Sequence, residues 1–186
     1  MNETTIKIPA ELFALAESSR FEGVYDVQAL SIGPDDYTFE APLPWAVEVT
    51  NTGSALLVSG TISGAGSCPC SRCLEDVHHE FEGVVEGYFL IDGDADFDDD
   101  AADDLEEGEF DVLPDDHMVD LAPLFEAALF IDAPDMPLCR DDCAGLCPQC
   151  GANLNEGPCG CGADADLEAF AREANPFAAL ADYKFD

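Results

Sequence analysis

The sequence predicts an α+β fold: an antiparallel β-sheet or partial barrel, one helix packed on it, and a cysteine-rich segment towards the C-terminus. Three observations carry that expectation. Three runs alternate apolar and polar side chains with a period of two, the pattern of strands with one wet face. One strongly apolar run of helical length stands between an aspartate and a proline. Six of the nine cysteines lie between Cys139 and Cys161, at spacings that suit a metal ion.

At 186 residues the chain is long enough for one ordinary domain and a small appendage, and 47% hydrophobic residues supply a core. The expected organisation is a β-rich part over 1–91 and an acidic, disordered loop over 92–109. A strand and helix over 110–138 complete the core, followed by a cysteine module over 139–161 and a C-terminal helix and tail over 162–186.

Residues 4–26 mix a strand-like start at Ile6 and Ile8 with an apolar patch at Leu12, Phe13 and Leu15, and they favour no one element. Trp45, Val47 and Val49 alternate with Glu48 and Thr50 as in a half-buried strand. Asn51-Thr52-Gly53-Ser54 is a turn, and a second strand pattern follows over 56–62. The longest run covers 77–91. It places Val77, Phe81, Val85, Phe89 and Ile91 on one face, with Glu80, Glu82 and Glu86 mostly on the other.

From 92 to 109 the chain is nearly all Asp, Glu, Ala and Gly, so it repels itself and buries little. Asp92, Asp94, Asp96 and Asp98 resemble the start of a calcium loop, but the sixth position holds Phe97 where that loop needs glycine. Asp120 is then expected as a helix N-cap, with Pro123 in the first turn and Pro134 as the stop. Residues 121–131 are apolar around most of the helix, which predicts a buried helix packed against the sheet. A short helix is expected near Asp166 to Glu173.

Charge limits the function classes. There are 41 acidic residues against six basic ones (Lys7, Arg20, Arg72, Arg140, Arg172 and Lys184), a formal net charge of −35. Lys and Arg supply most nucleic-acid affinity, so the composition argues against gripping naked RNA and favours basic proteins as partners. An acidic surface also serves solubility alone. No apolar run approaches the ~20 residues of a membrane-spanning helix, and the first residues do not read as a secretory signal. The expected location is the cytoplasm, with no membrane partner.

In a reducing compartment, clustered cysteines point to metal or redox chemistry. The downstream set is Cys139-x3-Cys143-x3-Cys147-x2-Cys150-x8-Cys159-x-Cys161. Zinc takes four soft ligands at about 2.3 Å, and a Cys-x2-Cys turn presents two thiolates to one ion. Cys147-Pro148-Gln149-Cys150-Gly151 has the form of such a knuckle, with the glycine free to turn left-handed so that backbone N–H groups face the sulfurs. Its second pair is Cys139 with Cys143 or Cys159 with Cys161, and spacing does not choose. Upstream, Cys70-Ser71-Arg72-Cys73 repeats the knuckle spacing and could join two downstream cysteines. The eight ligand candidates are therefore Cys70, Cys73, Cys139, Cys143, Cys147, Cys150, Cys159 and Cys161, enough for one or two structural zinc ions. Cys68 is the spare.

A thiol redox pair is the competing reading of Cys-x2-Cys, but it works at a helix N-terminus in a βαβ context absent from this pattern. A catalytic zinc would keep an open position, usually with His or Glu ligands; His78, His79 and His117 all lie away from the cluster in sequence. No phosphate-binding glycine loop, nucleophile elbow or nucleotide fingerprint is present, so no catalytic residue or small-molecule substrate is expected.

Cys70-Ser71-Arg72-Cys73-Leu74-Glu75 resembles the Cys-x-Arg-Cys motif of the YceD family, in which an acidic stretch and an Asp-Leu segment opening an apolar helix follow. Here Asp120-Leu121 occupies that place, and residues 138–155 with Cys159-Gly160-Cys161 match the cysteine pattern of some bacterial and plastid members. Asn175-Pro176-Phe177 and Leu180 resemble the closing segment. The resemblance runs from about Val24 to the C-terminus. It implies a cytoplasmic or plastid factor for accumulation of large-subunit ribosomal RNA, with no catalytic residues carried over. Taken with the acidic charge, the resemblance implies a ribosomal protein or large-subunit assembly intermediate as partner. The alternatives are a zinc-stabilised acidic module or chaperone for a basic protein, and a thiol redox protein.

Overall fold

The computed structural model describes residues 4–91 and 111–161. The expected acidic loop, the helix near Asp166 to Glu173 and Asn175-Pro176-Phe177 lie outside the described residues. In chain order the strands are β1 (Thr5–Lys7), β2 (Ser18–Tyr25), β3 (Ala29–Ile32), β4 (Asp35–Phe39), β5 (Leu43–Asn51), β6 (Ala55–Pro69), β7 (Asp76–Leu90), β8 (Asp111–Val112) and β9 (Met118–Asp120), followed by helix α1 (Ala122–Asp132). The chain falls into two compact units: Met1–Ser71 with Glu75–Cys139, and Arg72–Leu74 with Arg140–Asp186.

The first unit is mostly antiparallel sheet with one helix. The three alternating runs become β5, β6 and β7, and the first two are joined by the expected turn. Asn51 accepts the Gly53 amide at 2.7 Å through Oδ1, and Gly53 takes φ 114°. The Asn51 side chain is buried and donates to the Leu12 carbonyl at 2.8 Å, which pins the 3-10 turn Ala10–Phe13. The segment that favoured no element therefore contains β1, this turn and the edge strand β2. β2 pairs with β5, while β4, carrying β3, pairs with β6 beyond the end of β5. β7 covers the other edge of β6 along its full length and takes the short parallel strand β8. β1 and β9 form a separate antiparallel ladder. β6 can be crowded on both edges because it carries small residues: a Cβ on Gly60 would lie 2.6 Å from the Cα of Val47.

One face of the sheet is the core. Phe81, Val85 and Phe89 of β7 are buried there with Trp45, Val47 and Val49 of β5, as the alternation predicts. Phe125 of α1 lies 5.2 Å from the Trp45 ring and 5.8 Å from Tyr25, whose hydroxyl donates to Glu126 at 3.0 Å. The helix seats closely on β7 because Gly83 has no side chain; a Cβ there would stand 3.1 Å from that of Ala128.

One expectation about the helix is corrected. The N-cap position is Leu121, not Asp120, because Asp120 is still paired in β9; its carboxylate nevertheless accepts the Ala122 amide at 3.1 Å and the Thr4 hydroxyl at 2.8 Å. The helix packs on the sheet as expected, with one stripe of it hidden. Phe125, Ala128 and Leu129 are buried, but Phe130 and Ile131 are 58% and 81% exposed. A helix lying on one sheet face hides the side chains of one stripe only, whatever the others are.

Candidate metal centres

The sulfurs of Cys70, Cys73, Cys139 and Cys143 lie within 4.8 Å of one another, and so do those of Cys147, Cys150, Cys159 and Cys161. A tetrahedral ion with metal–sulfur bonds of about 2.3 Å needs sulfurs about 3.8 Å apart, so each group could hold one metal ion. The pairing left open by spacing is thereby resolved geometrically: Cys147 and Cys150 are joined by Cys159 and Cys161, while Cys139 and Cys143 join the upstream pair. His78, His79 and His117 belong to neither group.

The upstream pair sits where β6 turns into β7. The turn is closed by the Cys70 amide donating to the Glu75 carbonyl at 2.7 Å, and Leu74 takes a left-handed φ of 64° to reverse the chain. The Ser71 amide and hydroxyl both donate to the Pro137 carbonyl, at 2.9 and 3.1 Å, and the Cys139 amide donates to the Cys70 sulfur at 3.4 Å. Cys70 and Cys73 are buried. In the second unit, Arg72 Nη1 donates to the Cys143 carbonyl at 3.0 Å, and the Arg72 carbonyl accepts the Leu146 amide. The arginine of the Cys-x-Arg-Cys motif thus braces the loop that carries a ligand candidate.

The second group is built on the expected knuckle. Cys147 donates its amide to the Ala152 carbonyl, Gly151 returns its own to the Cys147 carbonyl, and Gly151 has φ 72°. The backbone amides of Cys150 and Gln149, with the Cys159 thiol, hold the Cys147 thiol down to about 6, which favours the thiolate a metal requires. Its neighbours go the other way: hydrogen bonding to Cys150 and burial push the Cys161 thiol up to about 12, and hydrogen bonding to Cys147 raises Cys159. Without a cation, a thiolate at Cys147 disfavours ionisation of Cys159; a divalent ion removes that conflict.

Asn155 was not picked out as a site residue from the sequence. Its Nδ2 donates to the Cys143 sulfur at 3.3 Å while its Oδ1 accepts the Ala144 amide at 2.8 Å. Sequence spacing carries no sign of this, since only the loop geometry brings the amide to the sulfur. Cys68 is 2% exposed, lies outside both groups and faces the Tyr37 hydroxyl; burial pushes its thiol up.

The family described as "Large ribosomal RNA subunit accumulation protein YceD" matches residues 58–184, which contain both groups. The chain belongs to the YceD family. Its relatives include an uncharacterised protein of Mycobacterium tuberculosis, 30% identical over 112 residues that make up 60% of this chain and 51% of that protein. A similar protein of Mycobacterium leprae is 29% identical over 117 residues, 61% of this chain and 50% of its own length. The chain spans about half the length of these curated relatives. No solved structure matches it. The family is described by rRNA accumulation rather than by an enzymatic activity. Among the described residues no helix is long and apolar enough to cross a membrane.

Proposed function

We propose that this protein is a non-catalytic, zinc-stabilised factor that supports accumulation of large-subunit ribosomal RNA by binding a basic ribosomal component in the cytoplasm. Family membership is the single observation that carries the role. The zinc reading is supported by two all-thiol groups, since four thiolates with no histidine or carboxylate suit closed structural sites rather than an open catalytic one. A formal charge of −35 supports a cationic protein over RNA as the component held.

Depleting the protein in its native host and measuring large- against small-subunit RNA tests the role; an unchanged ratio sinks it. Capture with the tagged protein, analysing both RNA and protein, tests the partner class. The Cys-x2-Cys spacing and the lowered Cys147 thiol favour thiol redox work instead. Metal content separates the two, because close to two tightly held zinc equivalents leave no free dithiol.

A further inference from the structure

We propose that the sheet face opposite α1 is the docking surface, and that its occupant is an extended protein segment with lysine or arginine at alternate positions. This rests on the functional reading above and assigns it a place in the fold.

The face follows from the strand registers. Across it run the rows Arg20–Glu48–Ser59–Glu86 and Glu22–Ala46–Thr61–Val84, with Ser63 opposite Glu82 and Ala65 opposite Glu80. The helix covers the other face, where Gly83 and Ala128 meet. Between Leu57 and Ser67, strand β6 offers Ser59, Thr61, Ser63 and Ala65 here, so the middle of the face is low. An open depression of about 740 Å³ lies there, lined by Glu22, Val24, Pro44, Ala46, Thr61 and Ser63 among others. On the other side of β6, strand β7 presents Glu80, Glu82, Val84, Glu86 and Tyr88 on the same face; Val84 is 64% and Tyr88 50% exposed.

The chemistry selects the occupant. Among the described residues Glu80, Glu82 and Glu86 have no ion-pair partner. Like charges two residues apart on one strand face repel, so an incoming cation relieves a cost already present. Alternate residues of a strand repeat at about 6.8 Å, and so do alternate side chains of an extended peptide. Lysine or arginine at every second position therefore matches Glu80, Glu82 and Glu86. The aliphatic stems of those side chains lie against Val84 and Tyr88 while their heads reach the carboxylates. RNA phosphates would meet the same carboxylates and be repelled.

The test compares three purified full-length proteins: the wild type, E80Q/E82Q/E86Q, and E11Q/E17Q/E40Q. The third loses the same charge from exposed sites elsewhere. The probe is a synthetic peptide with lysine at alternate positions, and the control is a peptide of equal composition with its lysines in one block. At physiological salt the β7 variant should bind the alternating peptide about tenfold more weakly, as several exposed ion pairs would contribute. The E11Q/E17Q/E40Q variant should bind it like the wild type, and the wild type should prefer the alternating peptide. Thr61→Arg, which fills the depression with a cation, should weaken binding as well. Equal weakening in both triple variants, or no preference between peptides, overturns the assignment, as does saturable binding of large-subunit RNA fragments that Thr61→Arg alters. Capture of basic ribosomal proteins separates this from the functional reading. If wild type and β7 variant capture them equally, the face is wrong and the reading stands. If neither captures them while the peptide binds as expected, the reading falls and the face stands.

Discussion

The grouping of the eight cysteines makes a prediction that paired substitutions can test. Each four-thiolate site is expected to hold one zinc ion, so the protein should carry about two equivalents. Structural zinc contributes on the order of 10–16 kcal/mol of apparent binding free energy at neutral pH. Divided evenly over four thiolates, one lost ligand costs about 2.5–4 kcal/mol, or roughly a hundredfold to a thousandfold in affinity. Two lost ligands empty a site in the presence of a competing chelator. Replacing Cys147 and Cys150, which share a group, with serine should therefore remove one equivalent and leave one. Replacing Cys70 and Cys147, which belong to different groups, should weaken both sites and release close to two equivalents under mild chelation. Cys68→Ser should release none. Elemental analysis after dialysis against a graded chelator series reads the stoichiometry, and limited proteolysis reads whether 139–161 has loosened. If the same-group pair released both ions, or the cross-group pair only one, the grouping would be refuted.

Phe125→Ala should destabilise the first unit by about 3–5 kcal/mol, since Phe125 is fully buried between the Trp45 and Tyr25 rings; chemical denaturation measures it. Gly60→Ala should cost about 1–3 kcal/mol or more, because the added methyl meets Val47 backbone that cannot step aside, and a melting temperature equal to the parent's would contradict that contact. Burial, then the hydrogen bond to Glu126, raise the Tyr25 hydroxyl from 10.0 to about 12, so the folded state keeps the neutral phenol where the unfolded state ionises it. That contribution is complete below pH 10 and is lost as pH rises through about 12. The fall in melting temperature across that window should be smaller in Tyr25→Phe.

Alternation made β5, β6 and β7 legible, because a sheet with one wet face writes its period into the side chains. The helix was legible between Asp120 and Pro134, to within a residue at each end. The first strands were not. β2 is an edge strand with both faces partly exposed, and β4 pairs with β6 at Gly66 and Ser67 only, so neither needs a clean pattern. That Phe130 and Ile131 stay exposed was not legible for a related reason: hydrophobicity around a helix reports what could be buried, not how much partner surface exists.

At the metal centres, composition and spacing alone determined which residues are candidates. Clustered cysteines with knuckle spacing carry that chemistry locally, and the same motifs matched the family. Tertiary structure decided which thiols come together. A Cys-x2-Cys turn places two ligands and leaves the other two coordination positions to whatever the fold brings near. Cys70 and Cys139 are 69 residues apart, and only the fold places the Cys139 amide 3.4 Å from the Cys70 sulfur. In the first group, local sequence places one pair of thiols and long-range packing brings the other; in the second, a local loop brings all four together.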